Sequence, residues 1–196
     1  MKKLVSLGLI LINGLILGQS TDFSNYEINA NVGLTIPVQG SNLRKTWHNG
    51  PYFSLDFIRK SKVVDFKIGI DYEYLHLSND KIKFITPHIG IVHSFNNGNF
   101  YFVPSICIGY SWINYTIGKG LVTSPVPAPP YQEYKQDAFS ASLDLKVLYA
   151  ISDRFQIGVG VGYLNIFESF GPEIQKPDDS KFIGLLRPNV SVLFKI

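Results

Sequence analysis

The stretch Val63-Val64-Asp65-Phe66-Lys67-Ile68-Gly69-Ile70-Asp71-Tyr72-Glu73-Tyr74-Leu75 decides the fold. Read at a period of two, it sets Val64, Phe66, Ile68, Ile70, Tyr72 and Tyr74 on one side of a strand and Asp65, Lys67, Gly69, Asp71 and Glu73 on the other. Four charges and a glycine in succession cannot form the buried face of a water-soluble sandwich, because charge taken out of water without a partner is strongly unfavourable. The opposite face is wholly apolar and aromatic. A strand of this kind faces lipid with its apolar side and the inside of a closed sheet with its charged side.

The same alternation runs through the chain. Tyr26 to Val38 opposes Ile28, Ala30, Val32, Leu34 and Ile36 to Asn29, Asn31, Gly33 and Thr35. Tyr52 to Ile58 sets Phe53, Leu55 and Phe57 against Ser54 and Asp56. Ile85 to Phe95, Phe100 to Trp112, Phe139 to Tyr149 and Phe155 to Tyr163 follow the rule. Phe182 to Ile196 completes eight, with Val190, Val192, Phe194 and Ile196 toward lipid and Asn189, Ser191 and Lys195 inward. Hydrophobic residues make up 45% of the chain, with 14 Phe and 11 Tyr, and this periodicity gives that aromatic load a place. Phe57, Phe95, Phe100, Tyr149, Phe155 and Phe194 cluster at one set of strand ends, and Tyr72, Tyr74, Tyr110, Trp112 and Tyr163 at the other. Two interfacial girdles are expected from them.

At the N-terminus, Lys2 and Lys3 precede an apolar run from Leu4 to Leu17, and the small residues Gly18 and Ser20 follow. The run falls short of the roughly 20 apolar residues that span a bilayer as a helix, so residues 1–20 read as a cleavable signal peptide and 21–196 as one β-barrel domain. Without Lys2 and Lys3 the 18 basic residues fall to 16 against 15 acidic ones, a net charge of +1 that gives no reason to expect a nucleic-acid partner. Cys107, the single cysteine, cannot form an internal disulfide and is expected to pack within a strand.

Connection lengths alternate. Residues 59–62, 96–99 and 152–154 read as tight turns, Asn97-Gly98 being a two-residue hairpin signal, whereas 39–51, 76–81, 113–136 and 168–180 read as longer loops. Within the third long loop, Ser124-Pro125-Val126-Pro127-Ala128-Pro129-Pro130-Tyr131 is expected to be extended, as a connector or a surface-contact segment.

With this rhythm, the Asp153-Arg154-Phe155-Gln156-Ile157-Gly158-Val159-Gly160 turn and strand, and the terminal strand, the chain resembles the small eight-stranded outer-membrane β-barrel family, the porin-like class. The resemblance covers residues 21–196. It implies an all-β, antiparallel, up-and-down transmembrane barrel in the outer membrane of a Gram-negative bacterium, with both mature termini periplasmic. Implied partners are outer-membrane lipids and lipopolysaccharide, and the outer-membrane assembly machinery, which reads the C-terminal strand. The terminal strand departs from the family's commonest form by ending in Ile196 where Phe is usual. A monomer without cofactor is expected.

An eight-stranded barrel is just wide enough to be filled by side chains or to hold one small ligand, so a filled interior is expected. With Lys60-Ser61 as the tip of a hairpin, Asp56 falls opposite Asp65 and Lys67 is their neutralising partner. Asp71, Glu73, Asp144, Lys146, Arg187 and Lys195 extend this into a polar network. The role is then structural or surface-interacting and non-enzymatic.

Two alternatives carry their own residues. His76-Leu77-Ser78-Asn79 resembles the His-x-Ser-Asn element of lipid A deacylase barrels, which implies a His76 base and a Ser78 nucleophile, but no Ala-Gly follows Asn79 and no glutamate lies between Ser78 and Gln132. A soluble ligand-carrying barrel of the lipocalin type needs an apolar cavity and a polar exterior, the reverse of the third strand's pattern. His48, His76, His88 and His93 have no metal-ligand spacing with one another or with Cys107. Lys119-Gly120 lacks the glycines of a phosphate loop, and Asn114-Tyr115-Thr116 matches a glycosylation pattern that is idle in a bacterial outer membrane.

Overall fold

The computed structural model describes residues 25–39, 47–61, 64–77, 80–118, 131–167 and 183–196. The expected signal peptide, the proline-rich segment up to Pro130 and Ser78 lie outside the described residues. Among the described residues nine hydrogen-bonded segments follow one another: β1 (Tyr26–Gln39), β2 (Gly50–Arg59), β3 (Asp65–Leu77), β4 (Asp80–Val92), β5 (Phe95–Asn97), β6 (Phe100–Gly118), β7 (Tyr131–Ala150), β8 (Phe155–Phe167) and β9 (Ile183–Lys195). Each pairs antiparallel with its chain neighbour, except that β4 and β5 both pair with β6, and β9 returns to pair with β1. The sheet is a closed up-and-down barrel without edges.

It has eight staves, because β4 and β5 occupy one position. The register is unbroken across them, Val92 facing Ser105 and Phe95 facing Phe102. Between these pairs lies Pro104, which has no N–H to donate and whose carbonyl accepts from the His93 amide at 3.1 Å. One missing ladder bond therefore divides one stave into two segments.

The pleat sorts the side chains as the sequence pattern requires. Along β2 buried and exposed residues alternate from Gly50 to Ile58. Outward residues such as Phe66, Ile89, Ile106, Leu143, Val159 and Val190 are about half exposed, although all are apolar. Asp56, Lys67, Asp71, Glu73, Asp144, Lys146 and Arg187 are buried. Fold and parity thus agree with the expectation drawn from β3. The aromatic residues named for the girdles stand at the two ends of the outer surface, half-buried or exposed.

Several local expectations need correction. The β2–β3 connection covers 60–64 and the register pairs Asp56 with Gly69, so Asp56 and Asp65 are not opposed. The longer turn is fastened by the Asp65 carboxylate, which accepts from the Ser61 amide and the Lys60 ammonium, both at 2.9 Å. The tight hairpin turns at Gly98-Asn99, with Asn97 facing Phe100, one residue later than the Asn97-Gly98 signal places it. Gly98 has φ +61°, a left-handed conformation that glycine adopts at no steric cost. The 76–81 connection is not long either, since Leu77 faces Asp80. Strands β6 and β7 stay paired out to Gly118 and Tyr131, so much of the expected 113–136 loop is a ladder. Even so, the linkers at 60–64, 98–99 and 151–154 form a short-turn rim, where β1 begins and β9 ends. The opposite strand ends, at Gln39, Gly50, Leu77, Asp80, Gly118, Tyr131, Phe167 and Ile183, form the other rim.

Candidate functional site

The barrel interior is layered. Midway along it lies the charged network, because β2, β3, β7 and β9 all present their polar parity there. Asp56 is its most connected acid: Oδ1 meets His88 Nε2 at 2.9 Å, and Oδ2 accepts from Asn29 Nδ2 at 2.9 Å. Lys67 and Lys146 each place Nζ 3.8 Å from Asp56 Oδ2. Lys67 also reaches Asp144 Oδ2 at 3.5 Å and Ser105 Oγ at 3.3 Å. Arg187, 1% exposed, forks between Asp71 at 2.7 Å, Glu73 at 3.2 Å and Asp144 at 3.2 Å, and its guanidinium lies 5.0 Å from the centroid of the Tyr52 ring. A planar guanidinium with five donors suits this role, which one ammonium could not fill with the same geometry.

Space for the network comes from an inward glycine. A Cβ on Gly69 would lie 2.5 Å from Asp56 Oδ1 and 2.7 Å from His88 Nε2, so only glycine lets those groups meet across β3.

Two apolar layers cap the charges. Toward the loop rim Leu75, Ile82, Phe84, Ile113, Ala138, Leu164, Ile166, Ile183 and Leu185 pack together, with Trp47 and Tyr115 against them. Toward the short-turn rim Ile58, Val92, Val103, Leu148 and Leu193 form a second cluster with Tyr101. The charged middle is therefore shut off from both mouths by hydrophobic packing, an arrangement suited to a plug and not to a water-filled path.

Of the residues predicted for the network, Asp56, Lys67, Asp71, Glu73, Asp144, Lys146 and Arg187 come together. Asp65 and Lys195 do not. Asp65 sits at the short-turn rim with Lys60, whose Nζ also meets Glu27 at 3.3 Å. Lys195 Nζ lies 5.3 Å from the centroid of the Tyr101 ring. The reason is depth: both share the inward parity but stand at strand ends. Burial by itself would lower the Lys60 pKa, but the carboxylates of Glu27 and Asp65 outweigh it and hold the ammonium above its ordinary value. Sequence reading missed Asn29, Asn31, His88, Ser105 and Ser191, although all have inward parity, because hydrogen-bond partners across a barrel are not neighbours in sequence.

The hydrolase candidate fares differently. His76 is exposed on the outer surface, where its carbonyl accepts from the His48 amide at 2.9 Å and its ring lies 5.4 Å from that of His48. Among the described residues no carboxylate pairs with His76, and no group of three or more His, Cys, Asp or Glu has the arrangement to hold a metal ion.

No protein-family model and no curated protein matches the chain. Solved structures do. Neisserial surface protein A superposes with a TM-score of 0.62 at 11% identity, over 88% of this chain and 98% of that one. A major outer-membrane protein from Thermus thermophilus gives 0.59 at 9% identity, over 87% and 98%. The fold is that of a small outer-membrane β-barrel. At such identities the likeness is one of fold alone. The inside-out distribution also runs against the soluble-carrier alternative, whose cavity would have to be apolar.

Proposed function

We propose that this small outer-membrane β-barrel is a non-enzymatic, structural or surface-interacting protein of a Gram-negative cell envelope, monomeric, with both mature termini on the periplasmic side. The observation that carries this reading is the combination of an apolar outer wall with a charged interior sealed by two apolar layers. The wall requires lipid, because a soluble protein seldom exposes contiguous apolar patches beyond a few hundred Å². The sealed interior favours no solute path and presents no reacting groups to a substrate. Short turns beside the terminal strands, with longer stretches of sequence at 40–49, 119–130 and 168–182 between strand ends of the far rim, match the arrangement in which the turns are periplasmic and the loops face outward. The β9 strand, with Val190 and Phe194 outward, is the segment we assign to recognition by the assembly machinery.

Fractionation tests the reading. The protein is expected with outer membranes and should migrate differently on a gel before and after boiling; a soluble, detergent-independent monomer would overturn it. Incorporated into planar bilayers it should give no stable open channel. The hydrolase alternative predicts loss of acyl chains from lipopolysaccharide that disappears in Ser78→Ala, and deacylation that depends on Ser78 would displace the non-enzymatic reading.

A further inference from the structure

The outer wall differs at its two rims. At the short-turn rim the outward positions are filled by Phe57, Phe66, Phe95, Phe100, Phe102 and Tyr149, all exposed. At the loop rim the aromatic belt of Tyr72, Tyr110 and Trp112 gives way abruptly to lysine. Lys81 and Lys83 alternate along β4 with Ile82 and Phe84, which the loop-side apolar layer buries. The pleat therefore commits both lysines to the outside. Lys135 is placed in the same way on β7, since Ala138 is held in that layer and odd positions face outward.

The ladder makes these three lysines one patch. Lys83 stands opposite Tyr74 on one side and Asn114 on the other, and Asn114 stands opposite Lys135. In the next row Lys81 lies between His76 and Thr116. Lys83 and Lys135 are thus two strand spacings apart, ~10 Å between Cα atoms, with Lys81 ~7 Å from Lys83 along the strand. Their long flexible stems let the ammonium groups converge on a ligand between them. Among the described residues none of the three has an acidic partner. Two carboxylates share that parity on β7: Asp137, which accepts the hydroxyl proton of Tyr110 one row nearer the membrane, and Glu133, which stands opposite Thr116 in the row of Lys81 and leaves the patch with a net positive charge.

Depth specifies what they meet. Lys83 and Asn114 lie two residues beyond Ile85 and Trp112, which face each other across the ladder. At a barrel tilt near 40° that is ~5 Å further along the membrane normal, just outside the hydrocarbon and at the level of lipid phosphates.

We propose that the outward face of β3, β4, β6 and β7 at the loop rim binds the phosphate groups of an outer-leaflet glycolipid, with Lys81, Lys83 and Lys135 as the binding cations. This rests on the outer-membrane reading above, which sets the loop rim in the outer leaflet. Asn114 and Thr116 supply neutral polar positions between the lysines, while Trp112 and Tyr110 lie against the first acyl segments.

The test uses the full mature chain refolded in neutral detergent micelles, with native mass spectrometry to count bound lipid. The probes are diphosphoryl lipid A, its phosphate-free counterpart, and phosphatidylglycerol. Diphosphoryl lipid A should bind best. Each lysine replaced by glutamine should weaken it about fivefold, and K81Q/K83Q/K135Q by on the order of a hundredfold. Unchanged heat-dependent gel mobility of the triple variant shows that its barrel is intact. Weakening of less than tenfold in an intact triple variant, equal binding of the phosphate-free lipid, or equal binding of phosphatidylglycerol would each overturn the proposal. Fractionation of the wild-type protein keeps the two ideas separate: its absence from outer membranes would refute the location, whereas loss of lipid discrimination in a protein found there would refute the site alone.

Discussion

Replacing Arg187 by methionine removes the guanidinium that Asp71, Glu73 and Asp144 share, while leaving a side chain of similar length in the barrel. Asp144 keeps Lys67 at 3.5 Å, and Asp71 keeps only the His88 ring at 3.5 Å. Glu73, fully buried, loses its only cation among the described residues. Two adjacent carboxylates then share almost no positive charge. The least costly response is for one of them to take up a proton. Breaking a buried pair by removing one partner typically costs ~3–5 kcal/mol, and a loss in that range is expected at pH 7. The sign of the pH effect follows: acid supplies the proton without cost, so the deficit should shrink toward pH 4. Urea unfolding of the protein refolded into short-chain phosphatidylcholine vesicles, followed by Trp fluorescence at both pH values, measures it. Adding Glu73→Gln to Arg187→Met should recover about half of the loss at pH 7. A deficit below 1.5 kcal/mol at pH 7, or one as large at pH 4 as at pH 7, would refute the reasoning.

Gly69→Ala drives a methyl against the Asp56 and His88 contact and should destabilise by ~1–3 kcal/mol, an effect relieved by also removing the ring with His88→Ala. Phe84→Ala should cost ~3–5 kcal/mol by opening a cavity in the loop-side layer, whereas Val159→Ala on the lipid-facing wall should cost well under 1 kcal/mol in the same unfolding assay. Val159→Arg should destabilise by ~2–4 kcal/mol in vesicles, as a charge near the bilayer midplane does; a neutral result would argue that lipid does not cover this face. Lys60 has a raised pKa, so its contribution is present below the ordinary lysine value of 10.5 and is lost as pH rises through the higher folded-state value. Wild-type stability should therefore fall above about pH 10.5 more steeply than that of Lys60→Met, as read in parallel urea titrations.

The β3 dyad carried most of the architecture because a period of two is a local property: alternate side chains take opposite faces whatever the strand pairs with. It was enough to sort Asp56, Lys67, Asp71, Glu73, Asp144, Lys146 and Arg187 to the inside. The same reading missed the apolar layers, since Ile82, Phe84 and Ile113 are inward residues flanked by outward Lys83 and Trp112. On the loop side the polarity of the two faces is partly reversed. It also misjudged the β2–β3 turn, where a hydrogen-bonded Asp65 lengthens the connection and moves Gly69 opposite Asp56.

What this sequence determines by itself is the outer wall and the sign of the inner one, because both follow from adjacent residues and the cost of placing charge in hydrocarbon. Which charge meets which is a matter of register and barrel curvature. Arg187 is 116 residues from Asp71 in sequence, yet 2.7 Å separates their side-chain atoms, a contact that exists only because β9 closes on β1 and turns that side chain across the lumen. The same closure lays Lys83 and Lys135 two strands apart on the outside of the loop rim. Pairing across strands depends on the sum of every turn length before it, and for that reason only the tertiary structure decided it.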